Sequence, residues 1–256
     1  MDVHIKNKEE QDKMRAAGKL AAQTLDYIEP LMVPGTSTHA IDEYVRIFAE
    51  ENGAKCAPLG YGDPPFPANC CISVNEVACH GIPGDYVLQD GDIVNVDVTP
   101  TLDGWHGDTS KMFLIGNVSD EDRQLCEIAH GALWAGIDAV EVGRDVRCIG
   151  NAIGLFMLDK PASIAKEFCG HGTGLVFHEP PQILHYSYRG KSYSIKPGMI
   201  FTIEPIINTG SPLTKLDLED KWTATTWDNA KSAQWEHTLL ITEDGVEILT
   251  LREEEK

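Results

Sequence analysis

The sequence predicts an α/β (α+β) fold in which two similar halves, each with two helices and then antiparallel strands, meet at a central cleft. Residues 89–97 (QDGDIVNVD) are similar to residues 196–204 (KPGMIFTIE), at an offset of 107 positions. A valine-containing stretch that ends in Gly35 and is followed by Ile41 recurs 108 positions later, where it ends in Gly143 and is followed by Ile149. Only two copies are visible in the sequence, and each is too long for a solenoid repeat, so a pseudo-twofold arrangement is expected.

We expect one domain over residues 1–256, with pseudo-repeats at about 7–116 and 119–251. A chain of 256 residues is long enough to bury a large core in a single domain. A site at the seam between two such halves would take its side chains from both of them.

The first half begins with two predicted helices. Asn7 followed by Glu10 is a capping-box pattern, and apolar residues then recur at helical spacing as far as Pro30. A second helix is predicted after the threonine and serine cluster at 36–38, ending near the Asn-Gly pair at 52–53. The apolar side of this second helix is predicted to comprise Ile41, Tyr44, Val45 and Phe48.

The second half repeats this order of elements. Residues 119–122 (Ser-Asp-Glu-Asp) form another capping pattern, and two apolar runs at helical spacing follow it. These runs predict two further helices. The first run contains Leu125, Ile128 and Leu133, and the second contains Val146, Ile149, Ile153 and Phe156.

Two aspartates of the first half are predicted to face each other across a hairpin. The valines of segment 94–98 alternate with polar residues, so Asp97 lies on the opposite face of its strand from the valines. The Asp-Gly pair at 103–104 is a turn signal, and 110–114 is the expected returning strand. Asp108 would then lie across from Asp97, with Cβ atoms ~5 Å apart. Like charges so close are destabilising unless a cation separates them, which favours a divalent metal ion.

The second half repeats this pair of acids. Glu204 occupies the position equivalent to Asp97, and Glu236 precedes an apolar strand at 239–241 as Asp108 precedes its own. A single acidic residue is most often a solvated or capping group. Four acids at duplicated positions on apolar strands instead indicate a shared metal site in the cleft.

Three of the nine histidines have informative surroundings. His171 lies between Gly170 and Gly172, where glycines would let the backbone approach an ion or substrate. His80 and His178 each precede the acidic strand of their own half and are expected to flank the cleft. Strand alternation points His237 away from the metal. The remaining histidines are interpreted as packing or surface residues: His4, His39, His106, His130 and His185.

Composition excludes several classes of protein. The chain has 40 acidic and 21 basic residues, a net charge of −19, which disfavours nucleic acid as a substrate. No run approaches the ~18 apolar residues of a membrane helix, and the start lacks a signal-peptide pattern. Seven cysteines without CxxC pairs favour a reducing, cytoplasmic setting and buried thiols at Cys70 and Cys71. The acidic residues 253–255 are expected to be simply solvated.

Together these residues resemble type I methionine aminopeptidases of peptidase family M24, which have the pita-bread (creatinase-like) fold. The match runs from about Asn7 to Leu251 and rests on short motifs. They are Asn75-Glu76, Cys79-His80-Gly81-Ile82-Pro83, Gly107-Asp108-Thr109-Ser110, Gly170-His171-Gly172, Phe177-His178-Glu179, Thr202-Ile203-Glu204-Pro205 and Glu236-His237-Thr238.

The resemblance implies two divalent metal ions per chain, of Co, Mn, Fe, Zn or Ni. Asp108 and Glu236 would bridge both ions, Asp97 would bind mainly one, and His171 with Glu204 would bind the other. A hydroxide shared by the two ions would attack the first peptide bond. The implied activity is removal of the N-terminal (initiator) methionine from nascent proteins and peptides.

The resemblance also implies further substrate contacts. Glu204 would relay a proton, His178 would stabilise the oxyanion, and His80 would orient the next residue of the substrate. The substrate-binding residues would be His80 and His178 with an apolar wall suited to a thioether. That wall would comprise Tyr61, Phe66, Cys71, Phe177 and Trp222.

The sequence departs from the family pattern mainly at this wall. Segment 62–65 is about two residues longer than usual, Lys221 stands where glycine is common, and Pro180 where an acidic residue often lies. Two alternatives remain: a proline-specific aminopeptidase or dipeptidase of the same fold, and a non-catalytic pita-bread binding protein. We expect a monomer without a membrane partner, whose substrates could be met at the ribosome exit region.

Overall fold

The computed structural model describes residues 2–190 and 192–255. The helices are α1 (Lys8–Ile28), α2 (Thr38–Glu51), α3 (Asp120–Asp138) and α4 (Arg147–Phe156), with 3-10 turns at Glu29–Leu31, Met157–Asp159 and Glu253–Glu255. The strands before α3 are β1 (Lys55–Cys56), β2 (Cys71–Val74), β3 (Val77–Cys79), β4 (Ile93–Val98), β5 (Pro100–Leu102), β6 (Trp105–His106) and β7 (Thr109–Leu114). Those after α4 are β8 (Ser163–Ile164), β9 (Gly170–Gly172), β10 (Glu179–Ile183), β11 (Ile200–Ile203), β12 (Ile206–Asn208), β13 (Thr214–Leu216), β14 (Ala224–Thr226), β15 (Ser232–Gln234), β16 (His237–Thr242) and β17 (Gly245–Ile248).

The helices follow the sequence prediction closely. The Asn7 side chain accepts from the backbone N of Glu10, whose carboxylate accepts from the backbone N of Asn7, so the predicted capping box starts α1. Ser37 caps α2 and Ser119 caps α3. Tyr44 was expected on the apolar side of α2, but its side chain is 37% exposed, so this part of the prediction was wrong. Position 44 lies outside the buried face of the helix, which includes Ile41 and Val45.

Two antiparallel sheets position the site. The first has the strand order β2-β4-β7, and the second has the order β10-β9-β11-β16-β17. The valines of β4 are fully buried against α1 and α2, so the predicted alternation is confirmed. The core of the second sheet is shared with α3 and α4. A third apolar cluster joins α1 to β11 and β16, so the two halves share buried surface.

The sheets meet at a seam of backbone and amide hydrogen bonds. The backbone N of Glu236 donates to the carbonyl of Ser110 (3.2 Å), across from one half to the other. The Asn95 side-chain amide donates to the carbonyl of Gln234 (2.9 Å). The seam is therefore where strand ends from both halves come together.

The hairpin predicted at Asp103 and Gly104 is present, with φ of 50° and 85° at its two turn residues. It connects β5 to β6 in a small sheet with β1, and not β4 directly to β7. Among the described residues, no helix has both the length and the apolar character that a membrane crossing requires.

Candidate metal centre

Asp97 and Asp108 lie at the cleft ends of β4 and β7. Asp97 is paired with Ser110, so Asp108 is displaced by two positions and sits diagonally from Asp97 on the same face. The prediction that the two aspartates are directly opposed was therefore wrong by two residues. The turn at Asp103 and Gly104 sets this register, because it pairs Leu102 with Trp105. The same register continues into β4 and β7 and places Ser110 opposite Asp97.

Glu204 and Glu236 come from the second half. Ile203 pairs with His237 in the antiparallel register of β11 and β16, so the next residues outward, Glu204 and Glu236, lie opposite each other. Asp108 and Glu236 are only 3% and 2% exposed. The seam thus buries carboxylates from both halves in one place.

His171 points its ring between these acids. Its Nδ1 donates to the carbonyl of Gly172 (3.0 Å), which leaves the Nε2 lone pair facing the cleft. Nε2 lies 3.5 Å from Asp108 Oδ2 and 3.6 Å from Glu204 Oε1. Burial lowers the pKa of His171 to about 4, so the imidazole is neutral and able to act as a ligand.

The glycines beside His171 serve a purpose other than the expected one. A Cβ at Gly170 would lie 2.3 Å from the carbonyl O of Thr202, and one at Gly172 would lie 2.3 Å from that of Pro180. Glycine is needed because β9 is packed tightly between its two neighbouring strands. The interpretation that these glycines admit an ion or substrate is therefore corrected.

Burial and mutual repulsion raise the pKa values of the four carboxyl groups. Burial, and then the neighbouring Asp108, raises the pKa of Asp97 well above its usual range. Burial raises the pKa of Asp108 itself to about 7, although the hydrogen bond from Thr99 lowers it. Burial and the other acids likewise raise the pKa of Glu204 and Glu236. Ionised together, these groups require a nearby cation.

This donor set suits a divalent metal ion. Asp108, His171 and Glu236 each offer a ligand atom, and the three atoms lie within 4.8 Å of one another. Carboxylate oxygens and one neutral imidazole nitrogen are ligands that Mn, Fe, Co and Zn accept. A divalent ion would supply the counter-charge that these clustered acids need when they are ionised.

Polar residues that the sequence analysis did not single out hold these ligands. Thr99 donates to Asp108 Oδ1 (2.8 Å), and Thr202 donates to Glu204 Oε1 (2.7 Å) while accepting from the backbone N of His171 (3.0 Å). Buried His185 accepts from the backbone N of Glu204 (3.1 Å). Thr99 and Thr202 each stand two residues from a ligand on the same strand face, so the period-2 pattern could have found them.

His80 and His178 flank the acids as predicted. His80 has a left-handed backbone (φ 54°), and its ring meets the edges of Phe168 and Trp222 at 5.7 and 5.9 Å between centroids. His178 stands at the mouth, its ring 4.2 Å from that of His171. Burial lowers the pKa of His80, and burial with the neighbouring imidazoles lowers that of His178. Both rings are therefore neutral near pH 7.

A cavity of about 360 Å³ lies directly above the ligands. It is lined by every residue that the sequence analysis proposed for the site, together with Pro58, Cys79, Thr99, Glu167, Phe168 and Cys169. Phe66 and Cys71 form its buried end, and Trp222 meets Phe66 edge-on at 5.3 Å. Tyr61 and Phe177 close the mouth, with 5.0 Å between ring centroids.

The unusual segment 62–65 is part of this wall. The Trp222 indole donates to the carbonyl of Pro64 (2.9 Å), and a Cβ at Gly62 would lie 2.5 Å from the Trp222 ring. Lys221 has φ of 65°, a left-handed conformation that favours glycine, which explains why glycine is common at this position. Lys221 adopts that conformation despite its Cβ.

Comparison with known proteins also indicates a metallopeptidase. A model of metallopeptidase family M24 matches residues 12–243. The methionine aminopeptidase of Escherichia coli strain K12 is 46% identical over 257 aligned positions, covering 100% of this chain and 96% of that protein. The crystal structure of methionine aminopeptidase from Rickettsia prowazekii matches with a TM-score of 0.94 and 44% identity, covering 98% of this chain and 100% of that one.

A more distant solved structure shares the fold alone. The prolidase from Pyrococcus furiosus matches with a TM-score of 0.75 and 23% identity, covering 97% of this chain and 66% of that one. The chain belongs to metallopeptidase family M24 and has the pita-bread fold that the sequence resemblance implied. Within that family its full-length likeness is to the methionine aminopeptidases.

Proposed function

We propose that this chain is a type I methionine aminopeptidase, a metal-dependent exopeptidase that hydrolyses the bond after an N-terminal methionine. The observation that carries the proposal is the position of the apolar cavity, which lies directly above four carboxylates, two of them buried, and one imidazole. The full-length likeness to methionine aminopeptidases supports the same activity. The expected substrates are nascent polypeptides and peptides that begin with methionine.

Five residues are proposed to hold two divalent ions: Asp97, Asp108, His171, Glu204 and Glu236. Such ions supply Lewis-acid stabilisation and make a water molecule acidic enough to act as a nucleophile near neutral pH. The backbone and threonine hydrogen bonds behind these ligands keep their side chains in place without the substrate.

Three residues are proposed to act on the substrate. Glu204 accepts a proton from the attacking water and passes it to the leaving nitrogen. The Tyr61 hydroxyl lies 2.7 Å from His178 Nδ1. In the proposed arrangement this hydroxyl donates to Nδ1 of the neutral imidazole. The His178 proton then resides on Nε2, which donates to the developing oxyanion. His80 orients the second residue of the substrate from the opposite side.

The proposed pocket suits an unbranched thioether. Phe66, Tyr61, Phe177 and Trp222 present aromatic surface to the cavity, and sulfur makes favourable contacts with aromatic rings. Cys71 is only 8% exposed, and burial raises the pKa of its thiol, so it contributes apolar surface and no nucleophile.

We further propose the finer properties of the protein. The chain acts as a single domain over residues 1–256 with pseudo-repeats at about 7–116 and 119–251, and as a monomer. All seven cysteines are free thiols, which supports a reducing cytoplasm. An encounter with nascent chains at the ribosome exit region would require a local basic patch, because the net charge is −19.

Peptide selectivity tests the proposal. The cobalt-loaded or manganese-loaded protein is assayed with Met-Ala-Ser, Leu-Ala-Ser and Ala-Pro-Ser, with release of the first residue measured by chromatography. We expect the methionine peptide to be cleaved with a kcat/KM at least about tenfold above that for leucine, since branching does not fit the pocket. A preference for Ala-Pro-Ser would instead establish a proline-specific enzyme. No cleavage of any of the three would favour a binding protein.

A further inference from the structure

Segment 250–255 lies behind the proposed metal ligands, and two of its residues, Thr250 and Arg252, are completely buried. The sequence pattern suggested that the acidic residues 253–255 are simply solvated. Glu253 and Glu254 are exposed as expected, but Glu255 is largely buried and Arg252 is completely buried. A fully buried arginine is rare and requires partners. Those partners lead to the candidate metal centre.

One connection runs from Arg252 to Glu236. Arg252 Nη1 donates to the Thr109 hydroxyl at 3.4 Å, and that hydroxyl donates to the backbone carbonyl of Glu236 at 2.7 Å. Thr109 directly follows Asp108 in the first half, whereas Glu236 belongs to the second half. Arg252 therefore orients the hydroxyl that joins the two halves behind the ligands.

A second connection runs from Thr250 to Asp108. The Thr250 hydroxyl accepts from the backbone N of Thr238 at 3.1 Å, and the Thr238 hydroxyl donates to the carbonyl of Asp108 at 2.7 Å. The two connections are reciprocal, because a threonine of each half holds the carbonyl of a ligand in the other half. Segment 250–255 contacts both threonines.

The segment is itself firmly anchored. Arg252 Nη2 donates to Glu255 Oε1 at 2.6 Å, and the guanidinium lies 5.2 Å from the Trp235 ring centroid. Glu255 Oε1 also lies 3.2 Å from His237 Nε2. Lys111, buried on β7, pairs with Glu254 at 2.6 Å. These contacts leave the segment little freedom to move relative to β7 and β16.

We propose that segment 250–255 positions the ligands Asp108 and Glu236, with Arg252 as its central positioning residue. This inference rests on the proposed metal-dependent function. Arg252 contacts neither the cavity nor a ligand side chain, and its hydrogen-bonded connection to the ligands runs through Thr109 and the Glu236 backbone. Groups that support ligands in this indirect way typically change metal affinity by about 10- to 100-fold.

The test measures Co²⁺ affinity, by competition with a chromogenic chelator, and the visible absorption spectrum of bound Co²⁺. Arg252→Met and Thr109→Val each break the connection to Glu236. We expect both to weaken Co²⁺ binding by about 10-fold or more and to alter the Co²⁺ spectrum. Thr109→Ser retains the hydroxyl and should restore both properties. Lys111→Met is the matched control, since it releases the same segment from β7 and leaves both the Arg252–Thr109 contact and the Arg252–Glu254 ion pair in place.

Each outcome decides the proposal. Wild-type Co²⁺ affinity and spectrum in folded Arg252→Met and Thr109→Val would overturn it. If Arg252→Met fails to fold because Glu255 loses its partner, then Thr109→Val and the double variant Arg252→Met/Glu255→Gln decide in its place. An equal loss in Lys111→Met would also overturn it, since general loosening of the segment would then be the cause. Wild-type protein that binds no Co²⁺ would contradict the metal centre itself, a failure distinct from that of the variants.

Discussion

The floor and the rim of the cleft differ in how they are built. The floor consists of the five proposed ligands, which lie on or beside strand ends and are held by hydrogen bonds from neighbouring strands. The rim consists mainly of Tyr61, His178 and Trp222, which lie on loops. Asp108 in the floor is 3% exposed, whereas Tyr61 in the rim is 40% exposed.

This difference suits the floor to metal binding and the rim to substrate selectivity. A metal site needs ligands fixed closely in space, and paired strands give that precision. A pocket wall has to fit a side chain, and loops can change in length without disturbing the strands beneath. The longer segment 62–65 is such a change, since it packs against Trp222 and not against a ligand. Substitutions in the floor should therefore cost more than those in the rim.

The largest effect is expected for Asp108→Asn. The variant removes one anionic ligand and leaves a weaker amide oxygen, so kcat/KM for Met-Ala-Ser should fall by about 10³-fold or more. Metal content after dialysis, measured by atomic emission, should fall with it. An Asp108→Asn variant with near-normal activity would show that the floor does not carry the chemistry.

The next largest effect is expected for His178→Ala in the rim. Loss of an oxyanion donor should reduce kcat by about 10²-fold while the metal content remains unchanged. Tyr61→Phe removes only the hydrogen bond to His178 and should reduce kcat by less than about 10-fold. The control is His39→Ala, an exposed histidine of α2. Unchanged kcat in His178→Ala would remove this residue from the mechanism.

A smaller effect is expected for Thr202→Ala, which tests the support of the floor. The hydroxyl holds both Glu204 and the backbone of His171, so its loss should weaken metal binding by about 10-fold or more. Thr202→Ser keeps the hydroxyl and should bind metal like the wild type. Equal affinities for the alanine and serine variants would mean that the strands alone position these ligands.

The smallest effect is expected for Glu255→Gln, measured as thermal stability against pH. Burial raises the pKa of Glu255, but hydrogen bonds with His130 and His237 and the charge of Arg252 outweigh burial and hold the pKa well below its usual range. A carboxyl group with a lowered folded-state pKa stabilises the folded protein at pH values above its unfolded-state pKa of about 4.3. That stabilisation is lost progressively as the pH falls below this value. The variant should therefore have a lower Tm than wild type at pH 7, and the difference should shrink below pH 4.3. A pH-independent difference would contradict this assignment.

The sequence predicted the floor better than its surroundings, for physical reasons. Asp97 and Glu204 line the cleft as predicted, because alternation along a strand is a local property that can be read without knowing the partner strand. Asp108 lies two positions from direct opposition to Asp97, and this register follows from the two-residue turn at Asp103 and Gly104, which the sequence did identify. The role of Gly170 depends on the neighbouring strand, which the sequence around it does not reveal.

Segment 250–255 could not be interpreted from local sequence at all. A run of acidic residues is typical of a solvated end, and only the fold brings Glu255 to His237. Lys221 is similar, since its left-handed backbone follows from the turn before Trp222. Contacts between residues distant in the chain therefore account for most of what the sequence did not predict.

Metal removal and restoration tests the central claim most directly. Release of methionine from Met-Ala-Ser is followed after exhaustive chelation and then during stepwise addition of Mn²⁺, Co²⁺ or Fe²⁺. We predict no activity without metal and recovery on adding these ions, because the buried acids and His171 form the metal centre. Undiminished cleavage by the fully chelated protein would contradict that account.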